Sequence, residues 1–251
     1  MRAPSRAFPL FRMSASTGFA PRLRPFDPDA ALRLWALPVL LLAWWTAQRL
    51  DAPLARLLFE WQGGHWALRQ HVLVEDVVHR GGRALSLLAW LALGVATLRC
   101  WRRVPAQAWT RPAARLLLAT LASTLAVAWL KSATHVDCPW DLAAYGGDRP
   151  FVGLFDARLR APAHAACFPA AHAASGYAWV ALYFFFADVR PRWRWAGLGA
   201  GLLAGLAFGI AQQLRGAHFL SHDIASLIVC WTLAAGVDAF PRRRQLRGAA
   251  A

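Results

Sequence analysis

Lysine is nearly missing from this sequence: Lys131 stands alone against 27 arginines in 251 residues. Acidic side chains are scarce too, 13 against 28 basic ones, and charged residues of both signs make up 16% of the chain. Ordinary soluble domains carry about 25%, so a single water-soluble domain is excluded. The first 30 residues hold two arginine-rich runs with Phe, Pro and Ser, but lack an apolar core followed by a small-residue cleavage site. They read as a cytoplasmic tail lying on anionic lipid, not as a removed signal peptide. No repeat and no low-complexity segment stands out beyond a bias to alanine.

In place of charge the chain has apolar length. Apolar side chains make up 58%, with 14 Trp and 14 Phe, and six runs near residues 31–48, 84–99, 113–130, 173–189, 195–213 and 224–240 are long enough, or nearly so, to cross a membrane as helices. The second is the shortest. The expected fold is all-α: a polytopic membrane bundle of about six transmembrane helices over residues 31–240, between basic tails at 1–30 and 241–251. Span 1 would act as an uncleaved signal anchor.

The net charge of +15 does not form one patch, so nucleic acid is not an expected partner. Arginines flank the spans instead. They precede span 1, fill the links between spans 2 and 3 (Arg99, Arg102, Arg103, Arg111, Arg115) and between spans 4 and 5 (Arg190, Arg192, Arg194), and follow span 6 (Arg242, Arg243, Arg244, Arg247). The positive-inside rule then puts both termini in the cytoplasm. All eight histidines (His65, His71, His79, His135, His164, His172, His218, His222) fall on the opposite face. Residues 51–83 mix leucines and tryptophans with Arg56, Glu60, Arg69, Glu75 and Asp76, as suits a solvated loop with aromatic anchors or short amphipathic helices at the interface.

Three polar clusters cap the outer ends of spans. Lys131-Ser-Ala-Thr-His135-Val-Asp137-Cys138-Pro139-Trp140-Asp141 follows span 3, Cys167-Phe168-Pro169-Ala170-Ala171-His172 leads into span 4, and Arg215-Gly216-Ala217-His218-Phe219-Leu220-Ser221-His222-Asp223 links spans 5 and 6. Where a composition so strongly prefers arginine, a single lysine at a membrane boundary suggests a place that wants a compact ammonium, although snorkelling to lipid headgroups also explains it. Together the clusters supply an ammonium and a guanidinium for an oxyanion, two imidazoles for nucleophilic and acid work, and a carboxylate to orient one of them. That inventory fits metal-free phosphoryl transfer. His172, opening a helix, would also meet the positive end of its dipole.

Over residues 85–240 the chain resembles the type 2 phosphatidic acid phosphatase superfamily, the helical family of membrane lipid phosphatases and vanadium haloperoxidases. Its pattern is Lys-x6-Arg-Pro, then Pro-Ser-Gly-His, then Ser-Arg-x5-His-x3-Asp. Lys131-x6-Cys138-Pro139, Pro169-Ala170-Ala171-His172 and the stretch from His218 to Asp223 stand in those places. The resemblance implies that His218 is the nucleophile and forms a phosphohistidine, Asp223 holds its ring, His172 protonates the leaving oxygen and Lys131 binds phosphate. Its departures are Cys138 for the first arginine, Ala170 and Ala171 for Ser and Gly, and Gln212 for the second arginine. Arg215, three residues after Gln212, is the expected replacement guanidinium, with Arg149 the other candidate. The spacing His218-x4-Asp223 is one residue long, and His222 fills the usual aspartate position. If Ser221 caps span 6, His218 is not helical and the extra residue is absorbed in Phe219-Leu220; otherwise His222 is the orienting group.

Cys138 and Cys167 adjoin two motifs on the oxidising side, so either a disulfide clamps them together or both are free thiols. His218, His222, Asp223 and His172 also offer a metal-ligand set, although the leading expectation involves no cofactor. That expectation is a periplasm-facing phosphatase of the bacterial inner membrane acting on a phosphorylated lipid. Undecaprenyl diphosphate, phosphatidic acid, phosphatidylglycerol phosphate and lipid A phosphates are candidate substrates by resemblance. Alternatives are a lipid phosphotransferase using the same intermediate, and a non-catalytic transporter or binder of anionic lipid. Because the spans are nearly free of ionisable residues, a transport pathway is less in keeping with this chain than a site at the rim.

Overall fold

The computed structural model describes residues 27–103, 107–154 and 166–249. The tail expected at residues 1–30 and His164 fall outside them, the tail all but its last four residues, as do the side chains beyond residue 240. Among the described residues the structure is helical, without strands. Helix α1 is Pro28–Trp61, α2 Gly82–Arg103, α3 Thr110–Thr134, α4 Ala171–Tyr177, α5 Leu182–Val189, α6 Arg194–Leu214 and α7 Leu220–Ala249. Short 3-10 turns at Ala67–Gln70, Pro139–Asp141 and Ala143–Tyr145 and a π-helical stretch, Leu73–Gly81, fill the connections.

Five of the expected crossings are long and apolar enough to span a membrane: Pro28–Trp61, Leu73–Arg103, Thr110–Asp141, Pro191–Leu214 and Leu220–Phe240. The run at 173–189 is a compound rod in which α4 tightens into a 3-10 turn at Ala178–Ala181 before α5. The rod is the centre of the bundle. Ala173, Ala174, Tyr177, Val180, Tyr183 and Phe184 are buried in it, packed against α3, α6 and α7. Apolar side chains all round are what a buried helix requires. Leu34, Trp35, Leu42 and Trp45 of α1 and Leu85, Leu88 and Leu98 of α2 stay exposed, as lipid-facing side chains do.

Helix α6 approaches the rod along a stripe of glycines, Gly197, Gly201, Gly205 and Gly209, spaced by four so that they share one face. A Cβ at Gly201 would meet the Val180 backbone, and one at Gly205 would fall inside the Tyr177 ring. Contact at backbone distance is how helices associate where burial from water gives no driving force. This four-residue period is a short repeat within α6 that bulk composition does not register.

Helix α1 begins where Asp27 Oδ1 accepts from the backbone of Asp29 and Ala30 at 3.0 and 3.2 Å. It runs far beyond the expected 31–48, so residues 51–61 are not a separate interfacial helix. The extension supports the outer loops. Gln62 donates to the Leu214 carbonyl at 2.9 Å, Tyr145 donates to the Ala52 carbonyl at 3.1 Å, and Phe59, Trp66 and Tyr145 form an aromatic cluster. At the opposite end Arg115 pairs with Asp188 and Asp238, and Asp29 accepts from Arg194 and Tyr183, tying α1, α3, α5, α6 and α7 together.

Candidate active site

The three polar clusters meet at the outer end of the rod. The first joins the second through a Cys138–Cys167 disulfide with a Cα separation of 5.3 Å, through Cys167 N–H to the Val136 carbonyl at 3.0 Å, and through the Thr134 hydroxyl to the Phe168 carbonyl. The first joins the third where Trp140 N–H donates to the Gly216 carbonyl at 2.9 Å. The second joins the third where Ala170 N–H donates to the His222 carbonyl at 3.2 Å, and where Ser226 Oγ donates to the Ala170 carbonyl at 2.9 Å. The turn before His218 needs glycine at 216: its φ is +71°, and a Cβ there would enter the Trp66 ring.

A cavity of about 470 Å³ opens at this junction, lined by Lys131 of the last turn of α3, His172 of the first turn of α4, His218 of the α6–α7 link and Arg215 at the end of α6, with His79, Arg83 and Gln212. Four of the expected site residues, Lys131, His172, His218 and Arg215, therefore share one space. Lys131 has no ion-pair partner among the described residues. His218 is buried in a non-helical link, and burial, with His222 and Lys131 beside it, holds its imidazole well below the ordinary range. The ring stays neutral, and its Nδ1 has no hydrogen-bond partner among the described residues. His172 packs between His79 and Phe208, with centroids 4.3 and 4.7 Å away, and lies beside the Val78 backbone. The helix it opens has only seven residues before it tightens, so cationic side chains, not a long helix dipole, supply the positive field here.

Other expected residues lie elsewhere. Asp223 accepts from Gln213 Nε2 and packs against Gly209, and its other oxygen has no partner among the described residues; it makes no hydrogen bond to His218. The side chain beside His218 is His222, with ring centroids 5.8 Å apart, because the first turn of α7 swings position 223 away toward α6. Ser221 is not the cap of α7: its N–H and hydroxyl both donate to Asp51, so α1 caps this helix. Arg149 is paired with Asp137, which raises the arginine's pKa, and it does not line the cavity. His222, Asp51 and Asp137 line a second cavity of about 410 Å³. The alternative metal set does not converge: among the described residues no three His, Cys, Asp or Glu side chains gather as a metal site.

A PAP2 superfamily family model matches residues 112–245, more than half of the chain. The chain belongs to the PAP2 superfamily. No curated protein and no solved structure matches it significantly. The match begins later than the resemblance from residue 85, so the π-helix and α2 lie outside it. Membership makes this a membrane-associated protein of a phosphatase-type phosphoesterase superfamily. Two guanidiniums line the cavity of this PAP2 protein, those of Arg83 and Arg215. Arg215 pairs with Glu75, donates from Nε to the Arg69 carbonyl at 2.8 Å and from Nη1 to Gln212 Oε1 at 3.2 Å. Burial lowers its pKa, and Glu75 opposes that effect. Glu75, His79 and Arg83 were legible only as polar residues of an interfacial segment. The signal that could have found them is their spacing of four along residues 75, 79 and 83, which puts all three on one helical side.

Proposed function

We propose that this protein hydrolyses a phosphate or diphosphate ester of a membrane lipid at the periplasmic face of a bacterial inner membrane, through a phosphohistidine on His218. The observation that carries the reading is the single cavity shared by Lys131, His172 and His218, delivered by three separate segments. Lys131 would draw the phosphate oxygens. The neutral His218 ring would attack phosphorus with a nitrogen lone pair as the bond from phosphorus to the lipid oxygen breaks, and His172, entering as an imidazolium, would give that oxygen its proton and become neutral. Water would then attack the phosphorus, giving a proton to the now neutral His172 as the phosphorus–nitrogen bond breaks, which returns His218 neutral, His172 protonated and releases phosphate.

A lipid substrate is favoured by what adjoins the cavity. A mostly apolar groove of about 290 Å³ between α2, α3 and α4, lined by Leu87, Trp90, Leu121 and Trp179, shares Arg83, Thr124 and Ser175 with it. A headgroup in the cavity leaves its hydrocarbon beside lipid-facing helices. The test is phosphate release by the purified protein from phosphatidic acid, phosphatidylglycerol phosphate, undecaprenyl diphosphate and lipid A phosphates, with and without chelator. Release that survives chelation and is inhibited by vanadate, which mimics a pentacoordinate phosphorus, is expected. Activity lost on chelation and restored by a divalent metal would overturn the phosphohistidine route.

A further inference from the structure

We propose that His79 and Arg83, carried by the π-helix and the start of α2 outside the family-matched segment, bind the phosphate in place of the two arginines missing at positions 138 and 212. The inference rests on the reading of the cavity as a phosphate site. Cys138 is consumed by its disulfide and has nothing to offer an anion. Gln212 is committed as well. An arginine can only donate, so the Gln212 atom facing Arg215 is the oxygen, and its amide nitrogen is left to face His79 Nδ1 at 2.8 Å. The amide nitrogen donates, so His79 Nδ1 accepts and the His79 proton sits on Nε2. The ring lines the cavity and packs 4.3 Å from His172, so its remaining N–H is a donor beside the general acid.

Arg215 cannot fill the vacancy while Glu75 neutralises it and the Arg69 carbonyl holds its Nε. Arg83 is different: it lines the same cavity four residues after His79, is exposed, and has no ion-pair or hydrogen-bond partner among the described residues. A phosphate dianion next to Lys131 alone would be half neutralised. Lys131 and Arg83 together balance it, and a guanidinium supplies the forked pair of donors that phosphate oxygens accept.

The experiment measures orthovanadate binding by isothermal titration to the full-length protein in detergent, independently of turnover. His79→Ala and Arg83→Gln should each weaken binding about tenfold or more, the size of one charge-assisted hydrogen bond. Arg56→Gln, which removes an equally exposed arginine from α1, should not change it. Restoring the family's arginine with Gln212→Arg should recover vanadate binding in the His79→Ala background, which a merely structural role for His79 would not permit. Because Arg83 is exposed, its variant keeps the fold. A vanadate Kd within twofold of wild type for Arg83→Gln, or absence of vanadate binding by the wild type, overturns the inference. Vanadate binding with these dependences but no release from any lipid phosphate would leave the inference standing and reject the proposed function.

Discussion

At the scale of single residues, the proposed route separates side chains that would react from side chains that would hold them. His218→Ala should remove essentially all turnover, since on the proposed route His218 alone takes the phosphoryl group. His172→Ala should slow an alkoxide leaving group about 10²- to 10⁴-fold and an activated phenolate far less, because only the former needs a proton. Steady-state kinetics on the two substrate types checks this. The contrast between Asp223 and His222 now has a direction. With Asp223 bound to Gln213 and His222 next to His218, Asp223→Asn should keep kcat within about threefold while His222→Gln costs about tenfold or more. Burial also sets a pH dependence. The native His218 ring takes up its proton well below about 6.5, the value of an exposed imidazole. Between those values the unfolded chain binds the proton and the native one does not, so stability falls as pH drops below about 6.5. In that window the wild type should lose melting temperature faster than His218→Gln, and equal slopes would contradict a buried neutral imidazole. The sequence exposed the identity of these residues through their order and spacing. It could not expose the swing of Asp223 toward α6, which depends on which face of α7 meets Gly209.

Among elements, the contact between α6 and the central rod is the one that cannot be loosened. Gly205→Ala puts a methyl into the Tyr177 ring and should destabilise by about 1–3 kcal/mol, the range for overpacking a filled interior. Gly199 belongs to the same helix, yet nothing lies within 4 Å of its Cβ position. Gly199→Ala should therefore hold stability or raise it by about 0.5–1 kcal/mol through helix propensity alone. Thermal unfolding in one detergent compares the two directly, and equal effects would show that the stripe is not a packing surface. The stripe was present in the sequence as four glycines at a spacing of four, but hydropathy alone finds a span there and is blind to what its small residues face. The compound rod was hidden for a related reason: an apolar run signals burial or a membrane and carries no record of a change in helical pitch at Ala178–Ala181. The long α1 was cut short because Arg49, Asp51 and Arg56 end its apolar run, whereas its helix continues to support the outer loops. The disulfide belongs to this scale too. Closing a loop between positions 29 apart, it should contribute about 3.6 kcal/mol, and Cys138→Ser with Cys167→Ser should lower the melting temperature while leaving His218 in place.

The whole molecule has two chemically different ends, and that difference predicts its orientation. Lys131, His172, His218 and the disulfide gather at one end of the rod. At the other, Arg115 with Asp188 and Asp238, and Arg194 with Asp29, bind five helices to one another. Arg115 and the arginine-rich link 190–194 both belong to this second end, opposite His172 and His218. Loops rich in arginine are retained in the cytoplasm, and a disulfide persists where thiols are oxidised; the two rules assign the two ends to the same compartments independently. Reporter fusions after residues 110, 192 and 245 should therefore report cytoplasm, and fusions near 65 and 155 periplasm. Position 192 is the most informative, because the link at 190–194 follows the compound rod, the one run that does not reach spanning length as a single regular helix. A cytoplasmic report there means that the rod crosses completely despite its 3-10 turn, leaving both His172 and His218 on the periplasmic side. A periplasmic report would mean that the chain turns back within the bundle, and the shared outer cavity would then have no consistent access to a periplasmic headgroup.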